Sequence, residues 1–576
     1  MGSVAELLAA ELVRRGVTRV FGLCGGHIQP VWDALARLGV EVVDVRHECS
    51  AVYMAQAQAD LGGGAGVVLV TAGPGLTNTV TALANAHLAR SPVVLVAGRA
   101  PRPQTGMGAL QDIPQAALVA PVCRRVETVL DRRHLLARVD AVWSAALGED
   151  GPQGPACLEL PTDLLEEPAT GLEAGLERPR MTARATLHPD PRSVEAAVRL
   201  LGEGRRTLVI TGRGARDDPR AVEAFLEATG AGHIDTAESR GVVPWDHPAQ
   251  LTAVRSTAMA EAELVVTLGR RLDFQLGYGS DAVFEAAPAW LRVGRSADEL
   301  AGNRRGEVTV QADCGPALWA MLEAGLAGGP ADSGWRDRLH HASEERIATA
   351  RARAPGLRTG EGGIHPLTLL AAVEELVDGD TVVVADGGDI LSFARSTLRA
   401  ESWLDPGALG CLGVGVPFAV SAALTLPGRR VIAVVGDGAA GFSVMELDTA
   451  VRRGARVLVV VANNAGWNIE RRDQIDRFDG NLVGVELPGC RYDLIARALG
   501  ARGERVEDAA DLPAALRRGL ENAPAVVDVR VSREPVSPDS RSGMAGVPTL
   551  QALGQWDLAE RRREHTPPQG GAIPPG

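Results

Sequence analysis

Two short polar motifs carry the sharpest chemistry in this 576-residue sequence. The apolar run VIAVVG leads into Gly436-Asp437-Gly438-Ala439-Ala440-Gly441, and after a helical pattern the run RVLVVVA ends at Asn463-Asn464-Ala465-Gly466. A G-x-G-x-x-G turn after a strand is the fingerprint of dinucleotide binding. Two details oppose that reading. An ionised aspartate inside the turn repels a pyrophosphate unless a cation lies between them, and the second strand ends in asparagines where a ribose-binding acidic residue belongs. A divalent metal uses the same residues better. In a right-handed βαβ unit both strands end at one sheet edge, so Asp437 and Asn464, 464 − 437 = 27 positions apart, approach one another. Magnesium takes few hard oxygens from protein and the rest from phosphates and water. One carboxylate, one amide oxygen and the Gly466 carbonyl leave room for a diphosphate, which Gly436 and Gly438 let close to the backbone. The competing account is a plain tight turn between strand and helix.

Other polar residues also follow apolar runs. VEVVDV leads into Arg46-His47-Glu48, with Glu48 opening a helix, where the helix dipole alone favours a carboxylate. FGLCGGHIQP places His27 beside Gly25 and Gly26, TAGPGLTN runs from Thr71 to Asn78, GALQDIPQ carries Gln111, and VVADGGDI carries Gly388 and Asp389. A loop histidine is usually a solvent-facing hydrogen-bonding group. By themselves these residues fix no reaction.

The elements that must position them alternate. Short β-branched runs (VTRVFGL, VEVVDV, GVVLVTAG, SPVVLVAG) are separated by helical patterns, and the grammar returns at TLVITGRG, AELVVTLGR and WLRVG, then at TVVVADGG, RRVIAVVGDG and RVLVVVANN. This predicts an α/β chain of three parallel-sheet domains. Polar, Pro/Gly-rich seams near 166–193 and 352–366 set expected domains at 1–168, 190–330 and 360–536, with a C-terminal tail over 537–576 ending in HTPPQGGAIPPG. All 59 basic residues are arginine, which excludes every mechanism needing a lysine amine, including Schiff-base and pyridoxal-phosphate chemistry. The net charge of −13, with basic residues scattered, argues against nucleic-acid or anionic-membrane partners. Seven widely spaced cysteines form no C-x-x-C pair, and no apolar stretch approaches the roughly 20 residues of a membrane span. MGSVAELLAAELVRRGV reads as an amphipathic helix rather than a signal peptide. The expected compartment is the cytoplasm.

With these residues in place, GDG followed by NN resembles the magnesium and thiamine diphosphate motif of thiamine-dependent enzymes, and the similarity extends over nearly the whole chain. The resemblance implies a pyrimidine-binding, a middle and a diphosphate-binding domain. It implies that Asp437, Asn464 and the Gly466 carbonyl hold Mg2+, and that Gly436, Gly438 and Ala439 lie along the diphosphate. Ala439 stands where many members place a serine, leaving backbone groups and Gly388 and Asp389 to supply that contact. The Gly410 carbonyl matches the acceptor for the cofactor's 4′-amino group, Leu412 the bulky residue that holds the cofactor bent, and Thr71 a further cofactor contact. Glu48 matches the glutamate that hydrogen-bonds N1′ of the aminopyrimidine, through which the cofactor deprotonates its own C2.

Within that family, FGL-x-G-x-HI with Gln111 resembles benzaldehyde lyase, and TAGPG-x-TN resembles acetolactate synthases. WLDPGALGCLGVG and GDGAAGFSVMELDTAVRR resemble 2-hydroxyacyl-CoA lyases. The implied function is a carbon–carbon lyase or carboligase acting on 2-keto acids, acyloins or 2-hydroxyacyl compounds, with His27 and Gln111 orienting a substrate oxygen. A simple 2-keto acid decarboxylase is the alternative, and an NAD-dependent oxidoreductase or a catalytically inactive relative the alternatives of another class. Relatives further imply a homodimer or homotetramer with the active site at the subunit interface and small carbonyl compounds as substrates. FAD or ADP in the middle domain stays open and unfavoured: LGRRLDFQLGYG departs from the synthases' flavin-contacting pattern, although Arg270 and Arg271 are of a kind to meet a phosphate.

Overall fold

A computed structural model describes residues 2–149, 151–172, 184–281, 283–326, 332–360 and 362–542. Most of the expected C-terminal tail, from 543 on, and part of the first seam, 173–183, lie outside the described residues.

The strands form three sheets in which every pairing is parallel. The first contains β1 (Arg19–Gly22), β2 (Glu41–Asp44), β3 (Gly66–Val70), β4 (Val93–Arg99), β5 (Arg125–Thr128) and β6 (Ala156–Pro161) in the order β2-β1-β3-β4-β6-β5. The second contains β7 (Thr207–Thr211), β8 (Gly232–Ile234), β9 (Leu264–Leu268), β10 (Ala289–Gly294) and β11 (Val308–Gln311) in the order β11-β10-β9-β7-β8. The third contains β12 (Thr381–Asp386), β13 (Ser402–Leu404), β14 (Arg430–Gly436), β15 (Leu458–Asn463), β16 (Arg502–Val506) and β17 (Ala525–Arg530) in the order β13-β12-β14-β15-β17-β16. Counted from its own first strand, the third sheet repeats the order of the first. Each sheet also has strands the hydropathy pattern alone does not single out, such as β5, β8 and β16, because edge strands carry less of the apolar signal. The central strands read as continuous Val/Leu runs because helices cover both faces; all residues of β3 and of β15 are buried.

The chain divides into two compact units. One holds the first and third sheets, with 2–186, 354–467 and 486–535. In it the helix Glu48–Gly62 packs against the helix Gly415–Thr425. The Ser421 hydroxyl donates to the Met54 carbonyl at 2.6 Å, and Tyr53 meets Phe418 edge to face with centroids 5.9 Å apart. The other unit is built on the second sheet and contains 187–353 and 468–485. There the Arg270 guanidinium donates to Asp273, at 2.7 and 3.0 Å, and to Gln275 at 2.9 Å, and Arg271 pairs with Asp273 at 3.2 Å. Both arginines thus meet the same acidic side chain of their own loop, Asp273. No helix is long and apolar enough to cross a membrane among the described residues.

Candidate active site

In open parallel sheets, ligands bind beyond the carboxyl ends of the strands where the strand order reverses. In the third sheet that point lies between β12 and β14, which end at Asp386 and Gly436. The turns that follow touch. Gly387 has φ +115°, and a Cβ there would lie 3.2 Å from the Gly436 nitrogen. Gly388 then caps the helix Asp389–Thr397, and Gly436 the short helix Asp437–Ser443.

Asp437 is buried, and its carboxylate accepts the Gly466 N–H at 3.2 Å. Burial pushes its pKa up to about 6, against the pull of its own N–H and those of Gly438, Asn464 and Gly466. The two motifs of the sequence therefore meet in space. The adjacent asparagines separate in role. Asn463 donates to Asp528 at 2.9 Å and to the Cys490 carbonyl at 2.8 Å, whereas the Asn464 Oδ1 is buried with no hydrogen-bond partner among the described residues. A buried acceptor without a partner costs about 1–3 kcal/mol unless something fills its lone pairs. Arg533 steadies the loop by donating to the carbonyls of Asn464 and Ala465, both at 2.5 Å, and Ala465 turns the chain at φ +56°. Among the described residues no three His, Cys, Asp or Glu side chains cluster as metal ligands. The hard-oxygen set at this edge is instead one carboxylate, one orphaned amide oxygen and backbone carbonyls, which suits magnesium shared with a diphosphate. Packing also requires a glycine at 438, where a Cβ would lie 2.4 Å from the Trp467 ring.

Gly410 and Leu412 sit on the loop between β13 and the helix Gly415–Thr425, and nothing in the sequence motifs shows what holds it. Two buried aspartates do. Asp386 accepts N–H groups from Gly387 at 2.7 Å, Gly413 at 2.9 Å and Gly415 at 2.8 Å. Asp405 accepts from Arg395 at 2.8 Å, Trp403 at 3.0 Å and Gly407 at 2.8 Å. Gly410 turns at φ +71° between these anchors. Asp386 could have been suspected, because it ends a strand at the reversal point.

Burial pushes the pKa of Asp386 up to about 6 despite its three N–H donors. Its proton is thus held more tightly in the folded chain than in the unfolded one, where the ordinary value of 3.8 applies. The stability attached to this group is complete below 3.8 and is lost as the pH rises through about 6. Asp386→Asn is expected to remove that portion of the pH dependence. Denaturant midpoints across the window, compared with wild type, check it, and parallel curves would contradict it.

At the reversal point of the first sheet, between β1 and β3, the His27 Nδ1 lies 3.3 Å from the Thr71 Oγ1, and a Cβ on Gly25 would strike Thr71 at 2.4 Å. Gly73, at φ +57°, packs against Gln111, whose own φ of +62° is unusual for a residue with a side chain. Gln115, the last residue of GALQDIPQ, braces both loops: it accepts the Gly73 N–H at 3.1 Å and donates to the Gly98 carbonyl at 2.8 Å. Glu48 is buried at the first residue of the helix Glu48–Gly62, and the Asn78 amide donates to its carboxylate at 2.9 Å. His47 caps this helix by accepting the Cys49 N–H at 3.1 Å. The sequence-predicted residues therefore form two sets, one at each sheet edge. Asn78 is the one side chain that hydrogen-bonds the Glu48 carboxylate among the described residues.

Comparison with known proteins bears on both sets. Residues 2–118 match the N-terminal TPP-binding domain of thiamine pyrophosphate enzymes, 194–321 the central domain and 387–529 the C-terminal TPP-binding domain. The 2-hydroxyacyl-CoA lyase 2 of Caenorhabditis elegans is 34% identical over 545 residues, covering 87% of this chain and 84% of that protein. The 2-hydroxyacyl-CoA lyase 2 of Homo sapiens is 34% identical over 539 residues, with 86% and 84% covered. An acetolactate synthase large subunit of Mycobacterium tuberculosis is 34% identical over 538 residues, with 91% and 95% covered. Sheets of one strand order facing two separate sets of residues, and matches to both binding domains and the one between them, lead to one conclusion: the chain belongs to the thiamine pyrophosphate enzyme family.

Proposed function

We propose that this protein is a thiamine diphosphate- and magnesium-dependent carbon–carbon lyase or carboligase acting on 2-keto acids, acyloins or 2-hydroxyacyl compounds. The observation that carries the cofactor assignment is the orphaned Asn464 Oδ1 on the loop that packs against the Asp437 carboxylate. The reaction class is supported by relatives named as lyase and synthase that align over most of their length. When bound, the cofactor supplies an electron sink for cleaving the bond next to a carbonyl. In this reading Asp437, Asn464 and the Gly466 carbonyl hold the metal. Gly388, Asp389, Gly436, Gly438 and Ala439 surround the diphosphate, and Gly410, Leu412 and Thr71 orient the rings. Glu48, desolvated and steadied by Asn78, exchanges a proton with the aminopyrimidine N1′.

His27 and Gln111 select the reaction. A decarboxylase needs only to protonate its product, whereas a lyase or ligase must take a proton from a substrate hydroxyl or hold an acceptor oxygen. His27, with Thr71 on Nδ1, keeps Nε2 for that task, and the left-handed backbone of Gln111 marks a residue held in place for function. The exposed apolar side chains Phe442, Met445 and Leu409 beside the third-sheet edge, and Met107 and Leu110 beside the first, support a homodimer or homotetramer whose partner completes each site. Seven free cysteines suit the cytoplasm.

The test is product analysis with a 2-keto acid, alone and with an added aldehyde, and with acyloins and 2-hydroxyacyl-CoA esters. Ligated or cleaved products are expected, and His27→Ala should suppress them more than it slows C2 deprotonation. Release of free aldehyde and carbon dioxide alone, with acyloins and CoA esters untouched, replaces this reading with the decarboxylase.

A further inference from the structure

The chain that delivers Glu48 is gripped from outside its own sheet. Between the end of β2 and the helix Glu48–Gly62 lie only Val45, Arg46 and His47. The helix Glu446–Arg453, which follows the glycine turn of the third sheet, docks on this stretch. Arg452 donates to the Asp44 carboxylate at 2.6 Å and to the Asp44 backbone carbonyl at 2.9 Å, Arg453 pairs with the same carboxylate, and Arg46 pairs with Asp448 at 2.5 Å. At the centre sits Glu446, 1% exposed. Its Oε1 accepts the Arg46 N–H at 3.0 Å. Thr449 fixes the carboxylate by donating to Oε2 at 2.6 Å.

We infer that Glu446 is a positioning residue for Glu48, holding the backbone from which the Glu48 side chain departs. In a capping box a glutamate at the third helical position reaches back to the amide before the helix. Here that position is Ser50, whose side chain is too short to reach. Glu446, from the domain of the diphosphate motif, instead supplies an acceptor one residue further back, at the Arg46 amide. The amide it holds lies two residues before Glu48, so its placement sets where the Glu48 carboxylate stands. Burial raises the pKa of Glu446 from its ordinary value against the pull of its hydrogen-bond donors, and a neutral amide at this buried position escapes that desolvation cost. Glu446→Gln keeps an oxygen for Arg46 and turns its NH2 to Thr449, whose hydroxyl then accepts. Glu446→Ala keeps neither.

The inference rests on the assignment of Glu48 above, and the experiment separates the two. In cofactor-free protein, Glu446→Ala is expected to speed amide hydrogen exchange in the peptide covering residues 42–52 by about tenfold or more, with other peptides little changed. In the loaded enzyme it should lower kcat by about tenfold or more, up to the roughly 100-fold that an ångström of misplacement costs, with KM nearly unchanged. Glu446→Gln should recover both. If Glu446→Ala does not fold, Glu446→Asp, one methylene too short to reach Arg46, must show the same local loss. Wild-type exchange at 42–52, or a kcat in Glu446→Gln as low as in the alanine or aspartate variant, overturns the positioning role. Wild-type C2 proton exchange in Glu48→Gln instead overturns the assignment of Glu48, whatever Glu446 does.

Discussion

Replacing Glu48 by glutamine is expected to slow exchange of the C2 proton of bound thiamine diphosphate by the roughly 10²–10⁴ that loss of an acid–base group costs, while the fold stays intact. The amide is nearly isosteric and still reaches Asn78, which can turn its own carbonyl towards it after an amide flip. What the amide cannot do is share a proton with N1′. The carboxylate sits buried at the start of its helix, where no basic side chain pairs with it among the described residues, so no neighbouring group stands ready to replace it. Exchange followed by acid quench and NMR measures the effect directly. An unchanged rate returns Glu48 to the part any acidic residue plays in a first helical turn.

Removing the metal, or its one carboxylate, should have the second large effect. With no lysine in the sequence, the diphosphate has no amine beside it, and a divalent cation is the main counter-charge the third sheet offers. Asp437→Ala removes the ionic ligand and leaves the Asn464 amide and backbone carbonyls. Loss of cofactor affinity is expected to exceed the roughly 10–100-fold seen when only the outer partners of a metal ligand are changed. Exhaustive chelation should act likewise, and added Mg2+ should reverse it for the wild type but not for Asp437→Ala. Calorimetric titration of thiamine diphosphate into each sample reads the affinity. Full affinity in a metal-free sample ends the metal assignment.

Much of this site could be read along the chain because its key groups lie where strands stop. An apolar run that breaks into Gly-Asp-Gly, and another that breaks into Asn-Asn, place their polar residues at one edge of a parallel sheet whatever the remaining topology, since βαβ crossovers have one hand. The same logic located Glu48, Thr71, Gly388 and Asp389, and the absence of lysine by itself narrowed the chemistry. Tertiary structure decided which polar group meets which. Asn463 and Asn464 are equivalent in sequence, but successive residues of an extended chain point to opposite sides. One is therefore tied to Asp528 and Cys490, and the other keeps an oxygen without a partner among the described residues. Asp386 looked like the end of a strand, yet it holds the loop of Gly410 and Leu412 through amides 27 and 29 residues away. Asn78 reaches Glu48 across 30 residues, and Glu446 reaches Arg46 across 400. Such pairings depend on strand order and on how helices of different domains dock. Local periodicity carries neither, because a hydrogen bond records where two backbones come to rest and not how far apart they are in sequence.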